Sequence, residues 1–206
     1  KYGQWPFPRD RYGAIIKELY DHNAGLVVFN VFMPDADRFG KDKILATILK
    51  DYPVVLPQTA TNDVLKTDVK AYRPGVSVIG DNGQQFTVDY ENVQPNVKEL
   101  NDVVLGAGVV NTFPELDGVV RRVPMLVSSK GLLYPSISLE TLRVAAGDPS
   151  FQVKISEFGI EAVRIPKFGK ITTDLWSRIW IDWAHRPTAY SAIDLPADFA
   201  GKDRKS

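Results

Sequence analysis

Between residues 12 and 20 the apolar side chains recur as Tyr12, Ile15, Ile16, Leu19 and Tyr20. This i, i+3, i+4, i+7, i+8 spacing predicts one apolar helical face. Asp10 is placed to cap that helix and Gly25 to stop it. Residues 26–32 (LVVFNVF) follow as a nearly continuous apolar run, the pattern of a strand buried on both faces. A second helix is predicted over 41–50, with Ile44, Leu45, Ile48 and Leu49 inward, and a short buried strand over 54–56. Helix, strand, helix and strand joined by short connections describe parallel crossover units.

The middle of the chain is less regular. Residues 59–71 read as loop or weak helix, 73–79 as a strand, Asp81-Asn82-Gly83 as a turn, and 84–102 as edge hairpin or loop. Order returns at 103–111 (VVLGAGVVN), a predicted buried strand whose glycines allow a backbone or ligand to approach closely. Asp117-Gly118 is a hairpin-type turn. A strand over 119–127 follows, broken by Pro124. Ser136 caps a predicted helix over 137–146, and Gly147 ends it. Beyond it the period shortens to that of strands at 151–155, 160–165 and 178–183, with Gly159 and Gly169 at turns. The expected fold is therefore α/β, with a mixed, largely parallel central sheet flanked by helices and a β-hairpin-rich C-terminal part. No repeat or composition shift marks a linker, so residues 1–206 are expected to form a single domain.

Composition narrows the functions. A chain of 206 residues that is 44% apolar and 24% charged is globular in character. Such a chain buries about 70% of its extended surface on folding. Its 25 basic and 25 acidic residues cancel, which argues against nucleic acid or an anionic lipid surface as the main partner. With no cysteine, disulfides, iron–sulfur clusters and thiol nucleophiles are excluded. No apolar run approaches the ~20 residues that cross a bilayer. Because Lys1 comes first, the chain is expected to be a fragment or a processed product. The polar tail 201–206 is expected to fray.

Candidate chemistry is sparse. His22 suits a helix end and His185 a polar loop, and no spaced His or Cys pairs suggest zinc. No G-x-S-x-G, G-x-G-x-x-G or P-loop occurs. Asp35, Asp37 and Asp42 form either a cation grip or a solvated loop with a helix cap. Trp5, Trp176, Trp180 and Trp183 read as core or interface. The densest polar cluster runs from Asn111 through Asp117 to Arg121 and Arg122. On a strand the two arginines point to opposite faces, so one is expected to meet a core or cleft carboxylate, or a ligand anion. Acid–base catalysis by Asp35, Asp37 or Asp117, in a small α/β hydrolase or transferase, is the alternative reading.

Several of these segments resemble one family. Gln4-Trp5-Pro6-Phe7-Pro8-Arg9, residues 106–111, the run from Asp117 to Pro124 (DGVVRRVP), residues 133–140 (LYPSISLE) and Tyr190-Ser191-Ala192-Ile193-Asp194 are similar, in order, to motifs of the second CHASE-type family of extracytoplasmic sensor domains of bacterial receptors. Asn30 stands where members often carry Asp. The resemblance implies a non-catalytic input domain of a membrane-anchored receptor, with no metal and no cofactor. Its partners would be an unidentified small-molecule or physical stimulus, its own transmembrane helices and a cytoplasmic cyclase, diguanylate cyclase or protein kinase; a homodimer is one arrangement it allows. It also implies that one or two terminal strands of the module lie outside the chain. The motifs nominate Trp5, Arg9, Asn111, Asp117, Arg121, Arg122, Tyr134, Ser136 and Glu140 as ligand-binding or architecture-setting residues.

Overall fold

The structure, a computed structural model, describes residues 6–80, 83–184 and 188–189. The chain opens with α1 (Arg9–Asp21), which buries Tyr12 and Ile16 of the expected stripe. Pro8, not Asp10, occupies the N-cap, because its fixed φ pre-sets the entry and leaves Asp10 in the first turn. The left-handed residue after the helix is Asn23 (φ 64°), so the stop comes before Gly25. β1 (Val27–Val28) is much shorter than the run 26–32, although the Phe29 N–H still donates to Val55 beyond it. α2 (Asp42–Asp51) buries Leu45 and Leu49, while Ile44 is exposed, contrary to expectation.

β2 (Val54–Thr61) is the spine of the N-terminal half. It runs parallel to β1 and to β6 (Gly106–Val109), and antiparallel to the short β5 (Asn92–Gln94). Its first five residues are buried, including Gln58. The β1–α2–β2 segment is thus the expected parallel crossover. Residues 62–74 are loop, and β3 (Gly75–Ile79) leaves the central sheet. It pairs in parallel with β10 (Ser150–Ser156) instead. Short pieces fill the ambiguous stretch: a 3-10 turn (Gly83–Phe86), β4 (Asp89–Tyr90), β5 and α3 (Lys98–Asn101). Asp81 and Asn82 of the expected turn lie outside the described residues.

The predicted strand 119–127 divides into β7 (Arg122–Pro124) and β8 (Leu126–Ser129). The break falls at Met125, whose N–H donates to Ser177. β8 turns through Lys130-Gly131 into β9 (Leu132–Pro135), and α4 (Ile137–Ala145) follows. Ser136 caps α4 as expected: its hydroxyl accepts the Leu139 N–H at 3.2 Å. The C-terminal region is a meander of β10, β11 (Gly159–Ile165) and β12 (Gly169–Thr172), extended by β3 on its other edge. β13 (Arg178–Trp180) returns to pair with β7.

Two main cores result. One packs α1, α2, α3 and the central sheet around Ile16, Leu45, Leu56 and Leu100. The other packs α4 and the meander around Leu139, Phe151, Val163 and Ile165. Each fully buried side chain of this kind contributes about 1.5–3 kcal/mol. The fold is α/β with a mixed central sheet and a hairpin-rich C-terminal part, but among the described residues the strands divide into four small sheets.

Candidate functional site

The loop leaving β6 runs into the Asp117-Gly118 turn, closed by the Gly118 N–H donating to Glu115 at 2.8 Å. Arg121 precedes β7 and Arg122 opens it, so strand alternation does not separate them. Both arginines border the same cleft of about 560 Å³, together with Phe113, Glu115, Asp117 and Arg178. Arg121 grips Asp117 with two parallel bonds, Nη1 to Oδ1 at 2.9 Å and Nη2 to Oδ2 at 2.7 Å. Arg122 donates from Nε to Glu115 at 2.9 Å, reaches Asp174 at 3.5 Å and lies 5.2 Å from the ring centre of Trp180. Arg178 donates from Nε to the same Asp174 oxygen at 2.8 Å. Three guanidinium groups thus meet three carboxylates in a neutral seam joining the β6–β7 loop to β13.

This arrangement suits a strut better than acid–base work. Arg121 holds the Asp117 carboxyl well below its usual range, at about 2. A carboxylate that weakly basic, with both oxygens engaged, is a poor proton acceptor near neutrality. Asp35 and Asp37 do not complete a pair with it. Asp37 accepts the Lys41 N–H at 3.0 Å, before α2. The Asp35 carbonyl accepts from Arg9 at 3.0 Å. Asp42 accepts from Arg9 at 3.2 Å and from the Asp37 N–H at 2.7 Å. Arg9 and Asp42 therefore latch α1 to α2, while Asp35 lends its backbone carbonyl to Arg9 and Asp37 its carboxylate to the entry of α2. Among the described residues no group of three or more His, Asp or Glu side chains is placed to hold a metal ion.

The other nominated residues are dispersed. Arg9 is buried beside Tyr12 and the α1–α2 latch. Asn111 pairs reciprocally with the backbone of Ala60, its amide donating at 2.9 Å and accepting at 2.8 Å, and so prolongs the β2–β6 pairing by one rung. Glu140 is enclosed beside Arg143 on α4, below the Ser136 cap. Tyr134 borders a separate cleft under the loop 62–74. Trp5, His185 and Tyr190–Asp194 lie outside the described residues. His22 sits at the exposed end of α1, as expected. Trp176, Trp180 and Trp183 are all more than half exposed, which excludes a core role within this chain.

Sequence reasoning missed Glu115, Arg143, Asp174 and Arg178. Glu115 was inside the singled-out cluster, and Asp174-x-x-x-Arg178 carries the spacing of a turn that folds back on itself. The second signal does not identify Arg122 as the partner of Asp174 across 52 residues of chain.

The sequence model of the CHASE2 domain matches residues 1–204. The chain belongs to the CHASE2 domain family. CHASE2 domains are extracytoplasmic sensory domains of receptors, and sensing, not catalysis, is their role. No curated protein and no solved structure matches this chain. Within this CHASE2 domain no described helix is long and apolar enough to cross a membrane.

Proposed function

We propose that this CHASE2 domain is the non-catalytic input module of a membrane receptor and relays a stimulus to a cytoplasmic output domain, a nucleotide cyclase, a diguanylate cyclase or a protein kinase. The observation that supports the relay is the Glu115–Arg122–Asp174 seam. It ties the loop leaving the central sheet to β13, the last strand in chain order among the described residues. A displacement on one side of the seam strains ion pairs on the other. A stimulus acts by fitting one arrangement of the domain better than another. About 1.4 kcal/mol of such preference changes the ratio of the two tenfold. The transmembrane helices of the receptor would carry that ratio across the membrane.

The test is made on the full-length receptor in membranes. Output product is measured for the wild type and for Arg122→Ala and Asp174→Asn at matched receptor levels. Altered basal or stimulated output supports the relay. Unchanged output in both variants removes the seam from it. Substrate turnover by the purified 206-residue chain, abolished by Asp117→Asn, would replace the sensor reading with the carboxylate enzyme.

A further inference from the structure

A second cleft, of about 840 Å³, lies between the loop 62–74, β5 and the β8–β9 turn. Its size falls in the range of small-molecule sites. Unlike the balanced seam, it carries an excess of positive charge. Lys70, Arg73 and Lys130 border it against one acid, Asp68. None of the three cations forms an ion pair with a carboxylate among the described residues.

The geometry at each cation leaves it able to receive an anion. Arg73 donates from Nε to the Leu133 carbonyl at 2.8 Å, which fixes the guanidinium and leaves its terminal nitrogens without an acceptor among the described residues. A fixed planar fork of this kind matches two oxygens of a carboxylate or phosphate. Lys130 occupies the first position of a two-residue hairpin turn at φ 48°, followed by Gly131 at φ 81°. A primed turn requires positive φ at both positions, and Asn or Gly fills the first far more comfortably than Lys does. The strained position places the Lys130 ammonium at the cleft, where it donates to the Asn92 side chain at 2.7 Å. The Tyr134 hydroxyl stands close enough to Arg73 to feel its charge: burial pushes its pKa up and Arg73 pulls it back. Leu65, Val69 and Leu132 add apolar wall.

We propose that this cleft binds a small organic anion, with its carboxylate or phosphate held by Arg73, Lys70 and Lys130 and its apolar portion against Leu65, Val69 and Leu132. The role of such an anion as the stimulus rests on the sensor reading above; its binding does not.

Binding is measured by titration calorimetry on the 206-residue chain with sodium hexanoate, hexyl phosphate, hexan-1-ol and hexylammonium chloride as probes. Hexanoate or hexyl phosphate is expected to bind saturably, one per chain, and more weakly as salt is raised. The stronger of the two identifies the head group. The alcohol and the ammonium are expected not to bind. Arg73→Gln should weaken the anion about tenfold or more, and Arg121→Gln, in the other cleft, should leave it unchanged. Should Arg73→Gln fail to fold, the exposed pair Lys70→Gln and Lys130→Gln decides, again with at least about a tenfold loss expected. No saturable binding of either anion up to ~10 mM, a weak limit near 3 kcal/mol, overturns the proposal, as does binding that survives the substitutions. In the full-length receptor, anion binding that leaves output unchanged overturns the stimulus role while leaving the site intact.

Discussion

Glu140 and Arg143, three residues apart on α4, form an enclosed ion pair with side chains 0% and 7% exposed. Arg143 Nη2 stands 2.6 Å from Oε1 and Nε 2.9 Å from Oε2. The same guanidinium donates to the backbone carbonyl of Asp148 and to the Tyr72 hydroxyl, which itself donates to the Leu105 carbonyl at 3.0 Å. One arginine thereby ties α4 to its own exit, to the loop before β3 and to the residue before β6.

Arg143→Ala should therefore lower stability by about 3–5 kcal/mol, because it leaves a buried carboxylate without compensation. Replacing both residues with leucine should cost less than the single change. The loss also carries a pH signature. Burial already pushes the Glu140 carboxyl up, against the pull of Arg143. Without Arg143 it rises further. A carboxyl raised in the folded state favours folding most below its unfolded value near 4.5, and that advantage disappears as pH rises through the folded value. The deficit of Arg143→Ala should thus shrink in acid. Urea unfolding at several pH values measures it; a loss below about 1 kcal/mol at neutral pH would show the pair to be dispensable.

Asp117 and Arg121 give the opposite case. With its carboxyl held at about 2, Asp117 keeps its charge where an ordinary aspartate gains a proton. A lowered carboxyl stabilises the fold above its unfolded value near 3.8 and loses that contribution as pH falls toward 2. Both side chains are solvent-accessible, so the contribution is small and salt-sensitive. Arg121→Gln should return the Asp117 titration toward the usual range. Carboxyl-carbon NMR reads this directly, and an unchanged midpoint would assign the effect to the Val119 N–H instead.

The sequence disclosed what it carried in short range. Ser136 and Gly147 bracket α4 because cap and stop act on neighbouring backbone groups. The i, i+3, i+4 stripe of α1 was legible for the same reason. The length of β1 was not, because strand extent depends on partners supplied 27 residues away by β2. β12 (GKIT) was missed because its edge position permits polar alternation with little apolar signal. Arg143 was invisible for a different reason. Glu followed three residues later by Arg looks like an ordinary exposed helical pair, and only the packing of β6 against α4 encloses it. The motif residues Asp117, Arg121 and Arg122 were recognised as a cluster, but Asp174, the partner of Arg122, comes from much later in the chain.

Arg121 and Arg122 should behave unequally. Arg121 is half-buried and its partners Asp117 and Glu115 sit on its own loop, so Arg121→Ala should leave the melting curve nearly unmoved. Arg122 bridges two segments and covers Trp180. Its removal should cost about 1 kcal/mol, and more at low salt than at high. Equal effects in thermal unfolding would mean that the seam holds no tertiary contact.

The glycines of β6 make the sharpest prediction about architecture. A Cβ on Gly108 would fall 2.4 Å from the Ile137 Cα and 2.5 Å from its backbone nitrogen, at the start of α4. A Cβ on Gly106 would meet the Glu140 carboxylate at 2.5 Å. The first obstruction is backbone and cannot swing aside, whereas the second is a side-chain end. Gly108→Ala must push α4 away from the sheet, which also breaks the Ser136 bridge to Val109 and loosens the enclosure of Glu140. It should cost about 1–3 kcal/mol or more. Gly25→Ala, with nothing within 4 Å, is the control and should be close to neutral. Hydrogen exchange at α4 gives a second reading: protection should fall in Gly108→Ala and persist in Gly25→Ala. If Gly108→Ala kept both its stability and its α4 protection, the close seating of α4 on β6, and with it the enclosed Glu140–Arg143 pair, would be wrong.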